Sequence, residues 1–134
     1  MERQKKIVDA NIGVKWFSAE EKTEEARNLL KLHTDNNIDL IIPDLFLYEI
    51  LNALNYKSDN KKDLNKVIDE LQKFQLNVCK ISNKLMEKIV EISIKYSLTI
   101  YDSTYLALAE LLECELITLD KKILNTKHPL VVSL

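Results

Sequence analysis

Four carboxylates stand where an acid needs a reason. Asp9 closes the β-branched run Ile7-Val8, and Asp120 closes Leu116-Ile117-Thr118-Leu119. Glu49 interrupts the apolar stretch Leu45-Phe46-Leu47-Tyr48-Glu49-Ile50-Leu51-Asn52-Ala53-Leu54, and Asp102 lies at the start of Tyr101-Asp102-Ser103-Thr104-Tyr105-Leu106-Ala107-Leu108-Ala109. Acids are seldom placed among such neighbours without a partner. If the fold gathers the four, they cannot all stay ionised unaided, because neighbouring carboxylates raise one another's pKa. A hard divalent cation resolves that conflict, and oxygen-only ligation with retained water suits magnesium or manganese. Such an ion activates water and stabilises charge on a phosphoryl oxygen during in-line displacement. The candidate catalytic and metal-ligating set is therefore Asp9, Glu49, Asp102 and Asp120. Asn52, three residues from Glu49 on the same side of a helix, is expected to orient it.

Each acid also has a plainer reading. Asp102 and Asp120 are both placed to cap a helix. Glu49 can pair with a lysine on a partly exposed face. Asp9 can form a turn. No single acid is diagnostic, and the set carries the argument.

The elements that must position them follow from the pattern. One glycine and two prolines in 134 residues suggest long helices joined by short polar turns. Short apolar runs predict strands at Ile7-Val8, Leu40-Ile42, Leu116-Leu119 and near Leu130-Val132, with a mixed strand over Leu76–Ile81. Helical spacing predicts helices at about Glu20–Thr34, from Pro43-Asp44 to about Tyr56, at about Lys62–Phe74, after a cap at Ser82 or Asn83, over Tyr101–Leu112, and briefly after Asp120. Proline at a first turn and aspartate at the positive end favour the second of these starts. Lys57–Lys62 reads as a turn. Strands alternating with helices imply crossover connections and an α/β sandwich around a mostly parallel sheet of about five strands. In such sheets the working site lies outside the carboxyl ends of the strands, where Asp9 and Asp120 fall.

Composition narrows the classes. Hydrophobic residues make up 46% and charged residues 30%, which suits one folded unit over 1–134 and excludes disordered, collagen-like and coiled-coil chains. No apolar run reaches the roughly 20 residues of a membrane span. The basic N-terminus is followed at once by Asp9 and Asn11, unlike a signal peptide, so a cytoplasmic protein is expected. Cys79 and Cys114 read as reduced core residues. The formal charge of −2 argues against a wholly basic nucleic-acid clamp, yet setting the four acids aside leaves 17 acids against 19 bases. Lys57, Lys61, Lys62, Lys66, Lys121, Lys122 and Lys127 are placed either to meet phosphates or to be ordinary solvated surface. Trp16, Phe17, Tyr48 and Tyr56 are either base-stacking rings or, at helical spacing beside apolar neighbours, core and interface. His33 and His128 read as structural or exposed.

Taken together, four segments are recognisable. Ile7-Val8-Asp9-Ala10-Asn11-Ile12-Gly13-Val14-Lys15-Trp16-Phe17, the Pro43–Leu54 helix with Glu49 and Asn52, Tyr101–Ala109, and Leu116–Asp120 occur in order over nearly the whole chain. In this the sequence resembles the PIN-domain family, and within it the small VapC-like toxins of toxin–antitoxin pairs. The resemblance implies a PIN-like α/β/α sandwich and a magnesium- or manganese-dependent ribonuclease that hydrolyses RNA with a metal-activated water, leaving a 5′-phosphate. It implies Asp9, Glu49, Asp102 and Asp120 as the acidic cluster, with Asn11 and Thr118 as hydrogen-bonding support. It also implies a homodimer and a cognate VapB-like antitoxin that blocks the site. Ala10-Asn11 departs from the commoner threonine- or serine-containing variants, and most of the family's glycines are missing.

Rival readings differ in chemistry. A haloacid-dehalogenase-type phosphatase needs a second aspartate two residues after the first, where this chain has Asn11. A receiver-type domain needs an acidic pair near its first strand, and Asp9 has no acidic neighbour. Two readings stay open beside the toxin: a binding module that acts through its antitoxin in a DNA-binding repressor, and an RNA-processing nuclease outside any toxin pair.

Overall fold

The computed structural model describes residues 2–57 and 63–134, without the Lys57 side chain. The elements run β1 (Gln4–Val8), α1 (Ala10–Val14), α2 (Thr23–Thr34), β2 (Ile38–Pro43), α3 (Leu45–Lys57), α4 (Leu64–Phe74), β3 (Asn77–Cys79), α5 (Asn83–Tyr96), α6 (Ile100–Leu112), β4 (Glu115–Thr118), α7 (Lys121–Leu124) and β5 (Val131–Ser133). The turn expected over 57–62 falls almost entirely outside the described residues, as do Lys61 and Lys62. No described helix is long and apolar enough to cross a membrane.

Five strands form one sheet in the order β3-β2-β1-β4-β5, and every neighbouring pair is parallel. The expected α/β/α sandwich is what the chain adopts. β1 and β4 are central, so their apolar residues meet helices on both faces; Ile7, Val8, Leu116 and Ile117 are all buried. In register, Ile7 pairs with Ile41 on one side and Leu116 on the other. Between β1 and β4 the strand order reverses direction. That is the switch point at which parallel sheets open a crevice beyond their carboxyl ends.

Helix α6 lies across β1, β2 and β4 with α5 packed on it, while α1, α3 and α4 form a connected group that also includes α2. Gly13 allows the close approach of α1 to α3: a Cβ there would come within 2.4 Å of the Phe46 ring. Trp16 is buried, tilted against Phe46 and edge-on to Phe74, and its indole N–H donates to the Ala26 carbonyl at 3.0 Å. Phe17 packs beside Phe74. These two rings belong to the core rather than to a nucleic-acid surface. His33 is likewise structural: its Nδ1 accepts from the Leu40 amide at 3.0 Å, and Nε2 faces the Phe74 carbonyl at 2.9 Å. His128 meets Glu110 at 2.9 Å. Cys79 and Cys114 are both free thiols, the first half-buried and the second buried.

Three boundaries differ from expectation for physical reasons. Pro43 ends β2 instead of opening α3. It pairs with Cys79 on one side only, beyond the end of β1, where a missing N–H costs nothing. α2 begins at Thr23, later than Glu20, because Glu20 is tied into the preceding turn by Ser18 and by its own amide to Thr23 Oγ1 at 2.8 Å. The mixed strand over Leu76–Ile81 contracts to the edge strand β3, after which the Ile81 amide turns to the Asp44 carboxylate.

Candidate active site

Asp9 is the N-cap of α1, and its Oδ1 accepts from the Ile12 amide at 3.1 Å. Its Oδ2 accepts from the Thr118 hydroxyl at the end of β4. The parallel register that sets Val8 opposite Ile117 carries each chain one residue further to this contact. Thr118 Oγ1 in turn accepts from the Asp120 amide at 2.9 Å. One buried hydroxyl therefore ties together the two acids that leave the central strands. Asp120 caps α7 through Oδ1, which accepts from the Lys122 amide at 2.8 Å.

Asp102 is not the cap of α6. Thr99 fills that position, its Oγ1 accepting the Asp102 amide at 3.0 Å, and this leaves the Asp102 carboxylate in the first turn, half-buried. Glu49 makes no lysine pair among the described residues. The Tyr105 hydroxyl donates to its Oε1 at 2.5 Å from a ring only 2% exposed. Tyr105 was not legible as a site residue, since it sits in α6 among Leu106, Ala107 and Leu108 and reads as core. Its only sequence signal is its position three residues after Asp102, on the same helix face.

Asn52 is exposed, and its amide makes no hydrogen bond to Glu49, although the three-residue spacing put it on the same side of α3. The buried phenol holds that position instead. Asn11 is also exposed and forms no side-chain hydrogen bond among the described residues.

The electrostatics link all four carboxylates. Burial pushes Asp9 up to about 6 against the pull of the Thr118 and Ile12 hydrogen bonds, with Asp120 and Glu49 adding repulsion. Burial also raises Glu49, offset by the Tyr105 hydrogen bond and reinforced by the Asp102 charge. Asp102 is raised by burial and then by Asp120, with Thr99 and Lys122 pulling the other way. Asp9 feels Asp120 and Glu49, Glu49 feels Asp102, and Asp102 feels Asp120: the repulsion closes on itself. Tyr105 is held far above the usual phenol range by burial and by its bond to Glu49, so it stays a donor.

Among the described residues, no three His, Cys, Asp or Glu side chains converge tightly enough to hold a metal ion as they stand. The donor set is nonetheless oxygen-only, and among the described residues Lys122, near Asp102, is the cation that offsets its charge. Lys66, Lys121 and Lys127 are exposed.

A parallel sheet with carboxylates gathered at its switch point defines a class of acid-centred α/β folds. Within that class, the family model described as PIN domain matches residues 6–129, and the chain belongs to the PIN-domain family. It is 28% identical to Ribonuclease VapC3 of Pyrobaculum aerophilum over 140 aligned positions, covering 96% of this chain and 98% of that protein. Among solved structures, a toxin–antitoxin complex from Klebsiella pneumoniae matches with TM-score 0.72 and 24% identity, covering 94% of each chain. VapBC2 from Rickettsia felis, bound to a DNA fragment from its promoter, matches with TM-score 0.74 and 18% identity over 98% of each chain.

Proposed function

We propose that the chain, acting as one catalytic unit over 1–134, is a divalent-metal-dependent endoribonuclease and the toxin of a VapBC-type toxin–antitoxin pair. The observation that carries this reading is the placement of the acids at the carboxyl edge of the sheet, where Thr118 joins Asp9 to Asp120 and Tyr105 holds Glu49, with Asp102 near enough to Glu49 and Asp120 for their charges to repel. Membership of the PIN-domain family and likeness to a VapC ribonuclease support it.

The donor set fits a hard dication, magnesium or manganese, because it offers only carboxylate oxygen and leaves negative charge to be neutralised. Asp9, Glu49, Asp102 and Asp120 would hold it. When bound, the ion would supply an activated water and neutralise charge developing on a phosphodiester. The chain's own residues divide the remaining work. Asp9, fixed by Thr118 and the Ile12 amide, is the rigid corner of the site. Tyr105 occupies Glu49 Oε1 and leaves the second oxygen to the cleft. Asp102 and Asp120 are more exposed than Asp9, and a turn of the Asp102 side chain would bring its carboxylate toward the others if a cation bound. Lys122, beside Asp102, is placed to meet a phosphate.

RNA is the substrate, a VapB-like antitoxin and a second copy of the chain are the partners, and the cytoplasm is the compartment. A second reading, a binding module working through its antitoxin on DNA, is favoured by likeness to DNA-bound VapBC assemblies, the promoter-bound VapBC2 among them. Incubating purified protein with total RNA, with magnesium, manganese or chelator, separates the two. The nuclease reading expects metal-dependent fragments carrying 5′-phosphates that disappear with Asp102→Asn. Cutting that survives both the substitution and the chelator would overturn it.

A further inference from the structure

Two exposed tyrosines directly precede two of the acids. Tyr48 is 75% exposed beside Glu49, and Tyr101 is 61% exposed beside Asp102. Both line one cavity of about 680 Å³ together with Glu49, Asn52 and Asn55. Tyr48, Asn52 and Asn55 follow at i, i+4 and i+7, so α3 presents them as a single stripe. Neither tyrosine ring stacks on another aromatic side chain among the described residues. Neither asparagine amide has a hydrogen-bond partner there. The cavity is within the size range of small-molecule sites. The two rings present a continuous apolar surface beside the acidic cluster, with amide groups at its edge.

We propose that Tyr48 and Tyr101, with Asn52 and Asn55, form a nucleobase subsite that seats a base of single-stranded RNA next to the phosphate to be cut. This rests on the ribonuclease reading above and deepens it. Phenol rings offer π faces on which any base stacks, which supplies affinity without sequence choice. A side-chain amide carries both donors and an acceptor, so it can pair with a base edge and discriminate among bases. Because Glu49 borders the same cavity, a base held there lies within a nucleotide of the acids. The rings also border an apolar groove containing Met86 and Val90, which makes a protein contact the competing occupant.

The test is binding of fluorescently labelled hexanucleotides A6, C6 and U6 in an Asp102→Asn background, with kcat and KM for RNA cleavage measured in protein with intact acids. Tyr48→Ala and Tyr101→Ala should each weaken hexanucleotide binding about tenfold and act on KM more than on kcat. Tyr48→Phe should keep the affinity, since it keeps the ring. Asn52→Ala and Asn55→Ala should reorder the preference among the three hexanucleotides. Unchanged affinity in both tyrosine variants overturns the subsite. So does a shift in sedimentation with RNA affinity unaltered, which would assign the rings to a protein interface. If protein with intact acids cuts RNA but ignores the tyrosines, only the subsite falls; if it neither cuts nor binds RNA, the ribonuclease reading falls with it.

Discussion

The Tyr105 hydroxyl donates to Glu49 Oε1 at 2.5 Å, joining α6 to α3 across the floor of the acidic cleft. A phenol kept protonated by burial can only give its hydrogen to that carboxylate. The contact fixes one oxygen of a side chain that would otherwise swing on an exposed helix face, and it favours the ionised form.

Tyr105→Phe removes the donor while keeping the ring in the core. Glu49, already raised by burial, should rise further once the hydrogen bond that lowers it is gone. Activity that needs the ionised carboxylate should then lose its acid limb at higher pH than in the parent. We expect kcat to fall at least tenfold with the melting temperature little changed. A pH–rate profile measured alongside thermal melts checks both halves.

Asp9 gives the fold a pH dependence of unusual sign. Its carboxyl titrates at about 6 when folded against 3.8 when unfolded, so between those values the folded chain holds the extra proton. The stability contributed by this group is fully present below 3.8 and is lost as pH rises through about 6. The shift corresponds to roughly 3 kcal/mol of unrelieved desolvation and repulsion at neutral pH. Metal-free protein should therefore melt higher at pH 5 than at pH 7. Manganese should restore stability at pH 7 and do much less at pH 5. Asp9→Asn, which still caps α1, should be more stable than the parent at pH 7 without metal and inactive.

Gly13 is needed for space, because its backbone does not adopt a positive φ. Alanine would normally help a helix by about 1 kcal/mol. Here its Cβ would sit 2.4 and 2.8 Å from two atoms of the fully buried Phe46 ring and 2.9 Å from Ile50 Cδ1. Gly13→Ala should cost a net 1–3 kcal/mol, about what overpacking a tight core costs. Because α1 is capped by Asp9, activity should fall too. Urea denaturation gives the first number, and adding Phe46→Leu should recover part of it.

Ser103 follows Asp102 in α6 and is fully buried. Its hydroxyl is buried and has no hydrogen-bond partner among the described residues. Ser103→Ala should raise stability by about 1 kcal/mol, since an unsatisfied buried hydroxyl is a net cost. Cleavage should be unaffected, in contrast to substitution of its neighbour.

The legible part of this protein is the part in which polarity contradicts its surroundings. Asp9 and Asp120 were visible because each ends an apolar strand, and parallel alternation placed both at the same edge. Thr118 was visible only through the family resemblance, yet its hydroxyl is the physical link between them. Tyr105 was hidden because a tyrosine within an apolar helix looks like core, and its ring is core; only its hydroxyl reaches the site. Asn52 misled for the opposite reason, since helical spacing gives a side and not a contact. Pro43 misled because proline serves equally well at a helix start and at an unpaired strand end, and tertiary pairing decides between them.

On the proposed function, four carboxylates from separate elements act on one cation. This is tested most directly by calorimetric titration of manganese into metal-free protein at pH 7, comparing the parent with Asp9→Asn, Glu49→Gln, Asp102→Asn and Asp120→Asn. Saturable binding by the parent is expected, with a loss of at least tenfold in affinity for every variant and each variant still folded. A parent that binds no manganese, or any one folded variant that binds it as well as the parent, would contradict that reading.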